Sequence, residues 1–148
     1  MNRPYIYSIQ DHDQIFLLLQ QGIQVNLVYE GSDMLPFIRG EKDIVTLRGI
    51  DSRIRRGDIV LVSDANGACK LRRVVDRNQN RLYLWADSAT EMSDCESCTL
   101  NNIVGRVVNI KRGSRIIHPR RRYLWMLLLP LRRPFLAVFC WLHKINME

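Results

Sequence analysis

A series of short β-branched and aromatic runs, each closed off by a turn signal, constrains this chain most. Val25, Leu27 and Tyr29 alternate with polar neighbours. Ile44-Val45-Thr46-Leu47, Ile59-Val60-Leu61-Val62, Leu82-Tyr83-Leu84-Trp85 and Ile103-Val104-Gly105-Arg106-Val107-Val108 have the composition of strands. Between the runs stand Gly40-Glu41-Lys42-Asp43, Arg56-Gly57-Asp58, Ala65-Asn66-Gly67 and Arg77-Asn78-Gln79-Asn80, all rich in turn formers. About six strands at that spacing predict a compact, mostly antiparallel β domain, partly closed into a barrel. Ahead of it, Asp11 or Asp13 is placed to cap a short helix through Ile15, Phe16, Leu18 and Leu19, with Gly22 as its left-handed stop.

The chain has 148 residues, 47% of them apolar, which suffices for one ordinary domain of roughly 110 residues plus an appendage. We divide it into an N-terminal helical segment (1–24), a β domain (25–112) and a C-terminal tail (113–148). The formal net charge is +7. From Lys111 onward there are nine Lys/Arg against Glu148 alone, so this part carries 9 − 1 = +8 and the remainder 7 − 8 = −1. Attraction for a polyanion therefore belongs to the tail and not to the β domain.

Within the tail, Tyr123 to Lys144 is apolar but interrupted. Arg132 and Arg133 split it into runs too short for a bilayer, which needs roughly twenty apolar residues. Taken as helix, Leu124, Leu127, Leu128, Leu131, Phe135, Val138, Phe139 and Leu142 share one face, and Pro130 and Pro134 mark a break or a fresh start. Arg120, Arg121, Arg122, Arg132 and Arg133 flank turns bearing Trp125 and Trp141, a pattern suited to the interface of an anionic membrane, where each cation contributes about 1 kcal/mol. A helical hairpin covering the β domain, or a homodimer made through the tail, is the plainer reading. A nucleic-acid arm is the third; eighteen Arg against four Lys favour it, and the lack of a stacking platform or base-reading motif counts against it. The N-terminus shows no export signal, since the first apolar run, Ile15 to Leu19, is too short. The expected location is the cytoplasm, with the inner face of the membrane as a peripheral site.

Four cysteines include the pair Cys95-Glu-Ser-Cys98. A structural zinc needs four ligands, and Cys69, Cys140 and His118 are distant in sequence. A redox Cys-x-x-Cys opens a helix, whereas this pair follows Asp94 and precedes Thr99-Leu100-Asn101-Asn102, which reads as a loop. Free thiols are expected, with no metal and no cofactor.

Gly31-Ser32-Asp33-Met34-Leu35-Pro36 resembles the nucleophile box of the signal peptidase I and LexA-like serine peptidases, Gly-x-Ser-Met-x-Pro, with aspartate at the serine position. Further places resemble the same superfamily in the same order. Gly57-Asp58-Ile59-Val60 is similar to its Gly-Asp-Ile-Val; Leu71-Arg72-Arg73-Val74-Val75 is similar to the strand bearing its Lys or His base; Ala86-Asp87-Ser88 is similar to its Gly-Asp-Ala/Asn box; Val104-Gly105-Arg106-Val107 is similar to its closing strand. The resemblance covers about residues 25 to 110 and implies small coiled antiparallel sheets. It also implies a peptide cleft at Gly31, Ser32, Met34 and Pro36.

The chemistry implied by the family is missing at the matching positions. There a serine hydroxyl attacks a peptide carbonyl while a neutral Lys or His takes its proton. Arg72 stays protonated, with a guanidinium pKa above about 12, and offers no lone pair. Asp33 attacking an amide would give a mixed anhydride, with no gain over direct attack by water. Positions that once shared a proton lie close, so an Asp33–Arg72 ion pair locking the former cleft is expected. Two other arrangements would keep an enzyme. A displaced Ser32/Lys70 dyad is supported by Lys70 lying two residues from Arg72 on one strand face, but Ser32 is one residue out of register. An Asp33/Asp87 acid pair would share a proton, which a cationic Arg72 opposes. The expectation is a catalytically inactive homologue that binds an extended peptide or protein partner; the alternative is a serine endopeptidase acting on a peptide precursor.

Overall fold

The computed structural model describes residues 6–40, 42–50, 54–89 and 95–119. The chain is mainly β, with a short N-terminal helix. Strand β1 (Ile6–Ser8) leads through a 3-10 turn (Ile9–Asp11) into helix α1 (His12–Gln20), followed by β2 (Val25–Val28), β3 (Ile44–Arg48) and β4 (Ile59–Ser63). Next come β5 (Cys69–Asn78), β6 (Arg81–Trp85), β7 (Glu96–Thr99), β8 (Ile103–Arg112) and β9 (Arg115–Ile117).

Both ends of the helix follow from local chemistry, though not all from the residues expected. Asp11 occupies the N-cap without a side-chain cap bond, because its carboxylate accepts from Ser8 N at 3.2 Å in a capping box one turn earlier. Gly22 adopts φ +79° and donates to Leu19 O at 3.1 Å, the left-handed stop anticipated at that position.

The nine strands among the described residues join one sheet in the order β1-β2-β3-β8-β4-β5-β6-β7, with β9 on β8. The path is open among the described residues, so partial closure into a barrel is not met by any strand pairing. Every neighbouring pair is antiparallel except β1 with β2. The expected strands are present, and β1, β7 and β9 add to them. Cys95-Glu-Ser-Cys98, read as a loop, instead runs into strand β7, whose backbone groups pair with β6 in the register Leu82↔Cys98 and Leu84↔Glu96.

Two apolar clusters lie on opposite faces of the sheet. Ile59 and Leu61 of β4 join Ile15 and Leu19 of α1, Leu71, Val107 and Phe37 in one. Val60 and Val62 join Val74, Leu82, Leu84 and Ile103 in the other. Covering both faces explains why β4 reads as a continuous apolar run and not as an alternation. Among the described residues no helix is long and apolar enough to cross a membrane. The tail residues Arg120, Arg121, Arg122, Trp125, Arg132, Arg133 and Trp141 lie outside the described residues.

Candidate functional site

Strand β5 presents consecutive arginines to opposite faces, as strand geometry requires. Arg72 reaches the loop between β2 and β3, and its Nη1 donates to Asp33 Oδ2 at 2.5 Å. The Asp33 carboxylate also accepts from the Tyr29 hydroxyl, at 2.8 Å on the same oxygen. Its other oxygen, Oδ1, is buried and has no hydrogen-bond partner among the described residues. A Cβ added to Gly31 would lie 2.7 Å from this oxygen and 3.0 Å from the Tyr29 ring, so the first residue of the box must be glycine for the carboxylate to lie as it does. The pair is thus a single end-on contact and not the bidentate fork an Asp–Arg pair can form.

Electrostatics around the contact favour the neutral phenol and the charged guanidinium. Burial raises the Tyr29 pKa, and the charge and hydrogen bond of Asp33 raise it further. Burial opposes the Arg72 charge, but the hydrogen bond and charge of Asp33, aided by Glu96, outweigh this and hold its pKa above the ordinary value. No proton acceptor suited to general-base work results, since the cation beside Asp33 is more firmly protonated than a free arginine.

The other expected residues meet different partners. Lys70 Nζ lies 2.8 Å from Glu96 Oε2, and Arg72 Nε lies 3.8 Å from Glu96 Oε1, so Lys70 and Arg72 do share a face and Glu96 of β7 spans them. Ser32 is exposed, and among the described residues its hydroxyl makes no hydrogen bond to a base. Lys70 is engaged by the Glu96 carboxylate and not by Ser32. Asp87 is 1% exposed and engaged by the neighbouring arginine: Arg73 Nε and Nη2 donate to its two oxygens at 2.7 and 2.8 Å. A proton shared between Asp33 and Asp87 is therefore replaced by two separate arginine pairs. Met34 and Pro36, expected to line a cleft, are buried, Met34 at 0% exposure within the first core cluster; Gly31 is half-buried and Ser32 exposed.

Sequence reasoning missed Arg73 as an organiser. Its guanidinium lies 4.7 Å above the Phe37 ring and also donates to Gly57 O at 2.8 Å and Pro119 O at 2.9 Å. Ser88, next to Asp87, donates from N and Oγ to Asp33 O at 3.0 and 2.8 Å. Below the loop, Arg112 forks onto the fully buried Asp43 at 3.0 and 2.7 Å and donates to Phe37 O. The signal for Arg73 was its place in β5: residues 71 and 73 point together, and Leu71 belongs to the core.

No protein-family model matches this chain, and no curated protein matches it. The site therefore stands on its own geometry. Cys69, Cys95 and Cys98 are free, and burial pushes each thiol pKa up, which lowers the thiolate fraction that nucleophilic or redox chemistry uses. Among the described residues no cluster of His, Cys, Asp and Glu could hold a metal ion.

Proposed function

We propose that this chain is a non-catalytic relative of the signal peptidase I and LexA-like peptidases, which binds an extended peptide or protein segment beside a cleft closed by an ion pair. The observation that carries the reading is the Arg72–Asp33 contact, because it joins the two positions at which the resemblance puts base and nucleophile. Support also comes from how the resembling segments converge: Arg73 joins the Gly57 turn to Asp87, and Ser88 holds the carbonyl of Asp33.

Binding rather than cleavage fits the groups on hand. Arg72 stays protonated and has no lone pair to accept a proton, Lys70 is paired with Glu96, and among the described residues the exposed Ser32 has no partner to activate it. Recognition would rest on backbone groups near Gly31 and Ser32, with Met34 and Pro36 fixing the loop from within the core. Selection from a displayed library of extended peptides tests this. Enriched peptides should bind the protein and lose binding in Ser32→Trp, a bulky change at an exposed position of the loop. Absence of enrichment, or binding indifferent to Ser32→Trp, would remove the proposal.

A further inference from the structure

A groove of about 360 Å³ opens where the C-terminal end of α1 meets the end of β3 and the start of β8. Phe16, Leu19, Ile50 and Ile103 give it apolar walls, and Gln20 and Arg48 are its polar side chains; none of the described residues lining it is acidic. Phe16 and Ile50 are 43% and 42% exposed, a large apolar area to leave in water without a ligand. Two glycines set how closely the walls approach. A Cβ on Gly49 would lie 2.7 Å from Leu19 O, and one on Gly105 would lie 2.8 Å from Leu19 Cδ1 and 3.0 Å from Arg48 O, so the helix end settles against β3 and β8 only because both are glycine. The groove is thus built into the backbone. Its volume falls near the lower end of the range for small-molecule sites, about 300 to 1,000 Å³, and suits one short chain.

Charge selects the head of such a chain. In the β3–β8 register Arg48 stands directly across from Arg106. Opposite residues share a face of the sheet with Cβ atoms about 4.5–5.5 Å apart, a distance at which two like charges destabilise one another. Arg106 is half-buried, and among the described residues its guanidinium has no hydrogen-bond or ion-pair partner. An anion held between the two relieves the repulsion, and the planar arginine fork matches a carboxylate. The helix side asks for no charged group. The carbonyls of Leu17, Leu18 and Leu19 already accept from the N–H groups of Gln21, Gly22 and Ile23 at 3.0 to 3.2 Å, and the negative end of the helix dipole lies there. An anionic head therefore belongs on the strand side, with its apolar chain against α1.

We propose that this groove binds a single-chain aliphatic carboxylate from solution, its chain along Phe16, Leu19, Ile50 and Ile103 and its carboxylate between Arg48 and Arg106. The proposal does not depend on what the Asp33 cleft binds.

Calorimetric titration of the full-length protein with hexanoate, octanoate and decanoate, each below its aggregation concentration, tests this beside decanol and decyltrimethylammonium. Affinity should rise about twofold to fourfold for each added methylene, fourfold being full burial at about 0.8 kcal/mol per CH₂. Decanoate should bind about tenfold or more tightly than decanol, and that preference should shrink in Arg106→Gln and in Arg48→Gln, an exposed position. Phe16→Asp, also exposed, should abolish the dependence on chain length, and a thermal unfolding curve checks that each variant folds. Three results overturn the proposal. Equal affinity for decanoate, decanol and decyltrimethylammonium would reduce the groove to a merely apolar surface. Decanoate binding that none of the substitutions changes would place the ligand elsewhere. No decanoate binding at millimolar concentration, with or without binding to vesicles containing phosphatidylserine, would leave the groove without a free carboxylate ligand, and vesicle binding would assign it to a membrane surface.

Discussion

At the scale of single residues, the Asp33 carboxylate is the focus, because among the described residues one of its oxygens takes two donors and the other takes none. Arg72→Met should therefore cost roughly 2 kcal/mol in urea unfolding, since it leaves a partly buried acceptor short of its strongest donor. Combining it with Asp33→Asn should recover part of that loss; simple additivity within about 0.5 kcal/mol would mean that the two groups do not interact. Tyr29 gives a pH-dependent prediction. Its folded-state pKa is raised, so its contribution is fully present below the ordinary tyrosine value of about 10 and is lost as pH rises toward the folded value. Wild-type stability should thus fall more steeply with pH above about 10 than that of Tyr29→Phe, measured by unfolding at matched pH. Equal slopes would show that Tyr29 titrates as it does in the unfolded chain.

Elements decide which ion pairs matter. Strand β5 sends Arg73 into the interior and Arg72 and Lys70 to the other face, so neighbours in sequence have different energetic weight. Removing one partner of the buried Arg73–Asp87 fork, as in Asp87→Asn, should cost about 3 to 5 kcal/mol. Glu96→Gln, at the edge strand β7 with a side chain 41% exposed, should cost less than about 1 kcal/mol. A reversed ranking in thermal or urea unfolding would contradict the assignment of faces. The same scale shows what was legible in advance. Runs such as Ile44–Leu47 and Ile59–Val62 announced strands because β-branched residues crowd a helix and suit a pleated surface. Strand β7 did not announce itself, because Glu-Ser-Cys-Thr has no intrinsic β pattern and becomes a strand through its hydrogen bonds to β6. Asp11 was legible as a capping residue, but the turn that it serves lies one step earlier, since Ser8 competes for the same role.

Over the whole molecule, distant contacts hold the loop from Gly31 to Gly40, among them Arg72 on Asp33, Ser88 on the Asp33 carbonyl, Arg112 on the Phe37 carbonyl and Arg73 over the Phe37 ring. Asp33 and Arg72 could be linked from the sequence because the motif order suggested their nearness. The Asp43–Arg112 and Arg73–Asp87 forks could not, because nothing local in a charged residue says that its partner stands many positions away. Closure of the sheet was likewise beyond the pattern of runs and turns, which fixes strand number more readily than the pairing of first with last. The central proposal is that this arrangement does not cleave peptides. Its most direct test is to incubate the full-length protein with a diverse peptide pool and follow new termini by mass spectrometry, beside Ser32→Ala and Lys70→Ala. The account predicts the same peptides as in buffer for all three proteins. New cleavage products from the wild type that vanish in Ser32→Ala and Lys70→Ala would contradict it, and would make the displaced dyad the working site.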